Sequence, residues 1–112
     1  MSRASLPTQR AKERILVCGV LLPEQEPEAD GPLSELRGLL EAAGAEPVGD
    51  GIVQSRRSPD PATFMGRGKV EEVAEEAARL GVDAVAIDND LSPGHIRNLE
   101  KRLAVRVLDR SE

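Results

Sequence analysis

The chain has 112 residues, a formal net charge of −5 and a single aromatic residue, Phe64. That length suits one domain with a core of Leu, Val, Ile and Ala, and it removes functions that need aromatic platforms, such as base stacking on single-stranded nucleic acid, aromatic cages and sugar stacking. One Cys and one His exclude an internal disulfide and a Cys/His zinc site, and no apolar run approaches the length of a membrane span.

Residues 1–13 carry no periodicity and no apolar signal core, so a flexible tail is expected there, with the domain at 14–112 and a cytoplasmic setting. Residues 14–22 form a nearly continuous apolar run, which predicts a strand buried on both faces, with Cys18 a buried, inert thiol. An acidic loop over 23–32 follows. Leu33, Leu36, Leu39, Leu40 and Ala43 then recur at helical spacing, with Pro32 suited to the first turn and Gly44 to a left-handed stop. Residues 46–57 offer only Val48, Ile52 and Val53 as strand material among several Gly, which predicts an irregular, exposed edge strand and a route to weak self-association.

A loop at 58–61 leads through Ala62–Lys69 into a second helix, with Val70, Val73, Ala74, Ala77 and Leu80 on one face and Gly81 as its stop. Residues 82–87 read as a strand ending at Asp88-Asn89-Asp90. Ser92-Pro93 caps a third helix bearing Ile96, Leu99 and Leu103, and 104–108 read as a last strand. The alternation predicts a Rossmann-like β-α-β-α-β-α-β domain: a four-stranded parallel sheet covered by helices in three layers, with strand order 2-1-3-4.

Gly66-Arg67-Gly68-Lys69 before a helix has the ingredients of an anion site, because Gly lets main-chain N–H groups approach and a helix start favours negative charge. It is no P-loop: Thr63 stands where that motif needs Gly, and Val70 where it needs Ser or Thr. The plainer reading is a turn whose Gly residues take unusual backbone angles. Asp88-Asn89-Asp90 could hold Mg²⁺ at the carboxyl end of a strand, against the plainer reading of a capped loop. His95, without a nucleophile partner, is expected to face solvent. The segment 51–69 carries Arg56, Arg57, Arg67 and Lys69 against Asp60, a net +3 inside an acidic chain, and so a candidate surface for phosphates.

From Arg14 onward the chain resembles the N-terminal domain of HflX-type ribosome-associated GTPases. The resemblance rests on Ser55–Glu72, an Arg-rich stretch followed by Pro-Asp-Pro-Ala-Thr, Phe64-Met65 and Gly-Arg-Gly-Lys-Val-Glu-Glu. It rests also on Asp90–Pro93 with Arg97–Glu100, and on Val105–Glu112, where the family usually has Thr for Ser111. Gly94-His95 departs from the Ala-Gln common in the family. The resemblance implies a family that binds the large ribosomal subunit, through rRNA or ribosomal protein, and splits ribosomes after stress. No Walker-type loop or magnesium-binding Ser or Thr carries over, so GTP and Mg²⁺ are implied only for the family's GTPase domain, and this chain is expected to be non-catalytic and free of cofactor. The expected contacts are Arg56, Arg57, Gly66, Arg67, Gly68 and Lys69. The alternative is a nucleotide- or phosphate-binding α/β domain using the Gly66–Lys69 turn.

Overall fold

The computed structural model describes residues 12–25, 28, 30–31 and 33–111. Of the expected tail over 1–13, residues 1–11 lie outside the described residues, as does the Pro32 helix start, whereas Glu13 is bonded to Glu46 and Arg106. The elements are β1 (Arg14–Leu21), α1 (Ser34–Ala42), β2 (Glu46–Ser55), α2 (Arg67–Leu80), β3 (Ala84–Ile87), α3 (Pro93–Leu103) and β4 (Arg106–Leu108). All strand pairs are parallel and the order is β2-β1-β3-β4, as the alternation predicts.

The strand period of two divides the core into two layers. Leu16, Cys18 and Val20 of β1, with Val85 and Ile87 of β3, pack with Val70, Val73 and Ala77 of α2 and Leu99 and Leu103 of α3. Ile15, Val17, Ala84 and Ala86 point the other way, toward Leu33 before α1 and Leu36 within it. Each fully buried valine or leucine in these layers contributes about 1.5–3 kcal/mol of transfer free energy. Leu39 does not join them: it is 60% exposed, because α1 is short and buries only the Leu36 side of its surface. No described helix is long and apolar enough to cross a membrane.

β2 is an edge strand, and its register against β1 slips between Leu16↔Val48 and Cys18↔Ile52. Gly49 (φ +77°) and Gly51 (φ +85°) supply the left-handed residues of this bulge. Pro47 has no N–H to offer an outside strand, and Arg37 donates to the Gly49 carbonyl at 3.4 Å. The opposite edge is also closed: the Val107 N–H of β4 donates to the Glu100 carboxylate at 2.9 Å. Both edges thus carry devices that block strand addition.

Candidate nucleic-acid interface

The end of β2 is tied to the start of α2. The Arg56 N–H donates to the Leu21 carbonyl, carrying the ladder one residue past the strand. The Gln54 side chain then accepts the Gly66 N–H at 2.8 Å. Gly66 is the N-cap of α2, with φ −64° and ψ 153°, angles open to any residue. A Cβ there would lie 2.6 Å from Arg56 Nη1 and 3.0 Å from Gln54 Nε2, the ends of two long side chains. The Arg56 guanidinium therefore lies against the backbone of Gly66, one residue before Arg67. The expected turn is corrected accordingly. Arg67, Gly68 and Lys69 are the first turn of α2, neither Gly66 nor Gly68 has positive φ, and a Cβ on Gly68 would meet open space.

Between β2 and α2 the chain makes a closed knuckle. Asp60 and Phe64 exchange two main-chain bonds of 2.9 Å. The Asp60 carboxylate accepts the Ala62 N–H at 2.8 Å and the Thr63 N–H at 3.2 Å, and the Thr63 hydroxyl donates to the Met65 carbonyl at 2.7 Å. Those two N–H groups, with the nearby Arg56 charge, hold the Asp60 carboxyl below its ordinary range. Phe64 takes the left-handed conformation (φ +66°), which a bulky residue adopts only when its surroundings fix it. They do: Phe64 is buried, and its ring meets His95 edge-on at 5.5 Å. Asn98 of α3 also donates to the Ala62 carbonyl at 2.9 Å.

His95 is thus not a free surface residue. Its Nδ1 accepts the Ser92 N–H, its own N–H donates to the Ser92 hydroxyl, and its ring covers Phe64. Gln54, His95 and Asn98 were not legible as site residues. The one signal available for His95 was its place three residues after a Ser N-cap, where Glu or Gln usually closes the box.

The six expected residues differ in what they offer. Arg57 and Arg67 are exposed, and no described carboxylate lies within ion-pair distance of either. Arg56 donates through Nε to the Ser58 carbonyl at 2.9 Å. With Arg57 it lines an open cleft of about 430 Å³ between the ends of β1 and β2. Lys69 is paired with Glu72 at 2.9 Å. No side chain caps α2 and no acidic residue lies in its first turn.

The carboxyl ends of β1 and β3, where doubly wound sheets bind ligands at the switch of strand order, are filled instead. A Cβ on Gly19 would lie 2.9 Å from Leu33 Cδ2 and 3.4 Å from Asp88 Cβ. Asn89, 3% exposed, accepts the Val20 N–H at 2.9 Å and donates to the Val20 carbonyl at 3.0 Å. Asp88 is held by Arg110 at 3.1 Å, and burial, reinforced by Glu28, pushes its carboxyl up despite that pairing. The Mg²⁺ reading of Asp88-Asn89-Asp90 loses its amide to the sheet and one carboxylate to Arg110. No group of three or more His, Cys, Asp or Glu among the described residues is arranged to hold a metal. Cys18 is buried and its thiol is pushed up to about 12, chiefly by burial, which makes it inert.

Residues 30–112 match the family described as "GTP-binding GTPase N-terminal". The chain belongs to the HflX family. It is similar to the GTPase HflX of Lacrimispora saccharolytica, with 37% identity over 100 residues that cover 89% of this chain and 23% of that protein. It is also similar to GTPase HflX of Escherichia coli K12, with 40% identity over 79 residues, 70% of this chain and 18% of that protein. It therefore spans about a fifth to a quarter of the length of these relatives, as their N-terminal domain. Among solved structures, a GTP-binding protein of Sulfolobus solfataricus in complex with GDP superposes with a TM-score of 0.57 at 18% identity, covering 88% of this chain and 27% of that one, and so shares the fold. Within this HflX domain, the Arg-rich and Gly-basic-Gly-Lys blocks that carry the sequence resemblance touch where the Arg56 guanidinium meets Gly66.

Proposed function

We propose that this HflX-type domain is a non-catalytic docking module that contributes to binding the large ribosomal subunit in the cytoplasm, through Arg56, Arg57 and Arg67 around the 58–66 knuckle. The observation that supports the reading is the seating of the Arg56 guanidinium on Gly66, which sets the Arg-rich segment against the start of α2. Gly68 supplies helix backbone and Lys69, tied to Glu72, a partly neutralised charge. The uncapped first turn of α2 gives some support to the alternative, nucleotide or phosphate binding at Gly66–Lys69. Against it, Gln54 already occupies the Gly66 N–H. GTP hydrolysis, with its GTP and Mg²⁺, is assigned to the part of HflX proteins outside this match.

The test is co-sedimentation with purified large subunits at low and moderate salt. Binding that weakens with salt and is abolished by Arg57→Glu with Arg67→Glu is expected. Binding indifferent to that double reversal refutes the surface. Saturable calorimetric binding of a nucleotide at millimolar concentration, lost in Arg67→Glu, favours the alternative.

A further inference from the structure

Three segments meet where β1 and β3 end. The chain leaving β4 is bonded to the β3–α3 loop: Asp109 accepts the Leu91 N–H at 2.9 Å, and the Arg110 N–H donates to the Asn89 carbonyl at 3.1 Å. The Arg110 guanidinium donates to Asp88 twice, from Nη2 to the carbonyl at 2.7 Å and from Nε to the carboxylate at 3.1 Å. Glu28, from the segment between β1 and α1, lies within hydrogen-bonding reach of the same Asp88 carboxyl. Its Oε1 also accepts the Ser34 hydroxyl at 2.8 Å and the Glu35 N–H at 2.9 Å, which closes the start of α1. Leu33 and Asp88 both lie against Gly19, at 2.9 Å and 3.4 Å from the position of a Cβ there, so α1 begins beside the end of β3.

We infer that Arg110 is the pin of an electrostatic latch: seated on Asp88 it lets Glu28 hold the start of α1, and withdrawn it sets Asp88 against Glu28 and opens that start. Two carboxyl groups this close disfavour each other's ionised form. The Asp88 side chain is 14% exposed, so water screens its charge poorly. Among the described residues, Arg110 is the only cation within ion-pair distance of either carboxylate. Burial pushes the Asp88 carboxyl up, Arg110 pulls it back, and Glu28 adds to the rise.

Without Arg110, and well above the ordinary carboxylate range, the pair is relieved by Glu28 turning away from Asp88, which gives up Ser34 and the Glu35 N–H. α1 is the helix that such a change can free. It has nine residues, buries only Leu36, and its N-cap residue, Leu33, supplies no side-chain bond. The matched HflX relatives continue well beyond this N-terminal domain, so in such a protein a pull on residues 109–111 is passed to α1.

The experiment is amide hydrogen exchange followed by NMR on the whole chain above the carboxylate range, in wild type, Arg110→Ala, Asp88→Asn and the double variant. The Arg110 side chain is 46% exposed, so the single variant should keep the wild-type far-UV circular dichroism. Loss of a bond to a charged group weakens a local contact about 10-fold or more, and the Glu35 amide should exchange faster by about that factor in Arg110→Ala. The Val85 amide in the core should keep its rate. Adding Asp88→Asn removes the second charge and leaves an amide that can donate to Glu28, so Glu35 should return to within about 3-fold of wild type.

An unaltered Glu35 rate in Arg110→Ala overturns the inference, since Asp88 then takes up a proton and the cap survives. An equal acceleration at Val85 also overturns it, because the whole domain is then destabilised. So does a double variant that exchanges at Glu35 as fast as Arg110→Ala alone, which would make Arg110 a packing residue of the loop and not a counter-charge. If Arg110→Ala fails to fold, Arg110→Gln, which keeps the stem, is read against the same Asp88→Asn pairing with the same outcomes.

Discussion

Asn89 closes the sheet where β1 and β3 part, and its removal tests whether that closure is as important as its geometry indicates. Both bonds go to the same buried residue, the N–H and the carbonyl of Val20, and both are about 3 Å long. Asn89→Ala leaves two buried main-chain groups without partners. Each costs about 1–3 kcal/mol, and a water entering the vacated space recovers part of that, so the expected loss is about 3 kcal/mol. Against a total stability of about 5–15 kcal/mol for a domain this size, the melting temperature should fall on the order of 10 °C.

The chain has no Trp or Tyr, so urea unfolding is followed by far-UV circular dichroism. Asn89→Asp sharpens the test. Its second oxygen would face the Val20 carbonyl, and burial would raise its pKa in the folded chain above the unfolded value of about 3.9. The folded state then holds more protons through that interval, so stability falls as pH rises and the deficit is greatest at neutral pH. Acidification should shrink it, because the protonated acid can donate to Val20. A loss below about 1 kcal/mol for Asn89→Ala, or an Asn89→Asp deficit that is the same at acid and neutral pH, refutes the reasoning.

Asp60 has its pKa lowered in the folded chain by the Ala62 and Thr63 N–H groups, so its stabilising contribution is complete above about pH 4 and is lost as pH falls further. Asp60→Asn should therefore be less stable than wild type at neutral pH, with the gap closing in urea titrations at acid pH. Glu100→Ala removes the acceptor of the Val107 N–H. It should cost about 1 kcal/mol and produce concentration-dependent association in sedimentation velocity, and a variant that stays monomeric at high concentration would show that this edge needs no guard. The two types of glycine should separate under alanine substitution. Gly51→Ala meets a positive φ and a Val17 carbonyl at 3.2 Å, and should destabilise by about 2 kcal/mol. Gly68→Ala, in a helix with open space around it, should stabilise by up to about 1 kcal/mol in thermal melts.

The sheet was legible because its signals are local and repeat: short Val/Ile/Leu runs, helical stripes and Gly stops in strict alternation. Even the edge position of β2 could be read from its scarcity of apolar residues. What could not be read was long-range. Asn89 looked like one of three polar loop residues, yet its bonds reach Val20, 69 positions away in sequence. The sequence predicts unusual backbone angles at Gly66, the usual reason for glycine in a turn, whereas its angles are open to any residue and what lies against it is the guanidinium of Arg56. His95 was read as solvent-facing because a lone His has no partner in sequence, whereas its partners are a Ser three residues back and a ring 31 positions away. Leu39 recurs at helical spacing with Leu33, Leu36 and Leu40 yet is exposed, because spacing does not report how narrow a face a nine-residue helix buries.

These closures bear on where the molecule can engage a partner. The fold directs the N-termini of α1, α2 and α3 to one end of the sheet, so three helix dipoles present their positive ends there in a chain whose total charge is negative. At α1 the positive end is met from within: Glu28 accepts the Ser34 hydroxyl at 2.8 Å and the Glu35 N–H at 2.9 Å. Its own carboxyl is held low by those two bonds, the N–H being the larger cause. At α3, Ser92 and His95 close the start reciprocally. Among the described residues, only the first turn of α2 has no side chain bonded to its main-chain N–H groups; Arg67 opens that helix and the Arg56 guanidinium lies against Gly66 before it. The strand edges are blocked by the β2 bulge and by Glu100, and the strand-order switch is filled by Leu33 and Asn89. An anionic partner approaching this end meets two satisfied helix starts and one open one, and the open one is where the unpaired arginines stand.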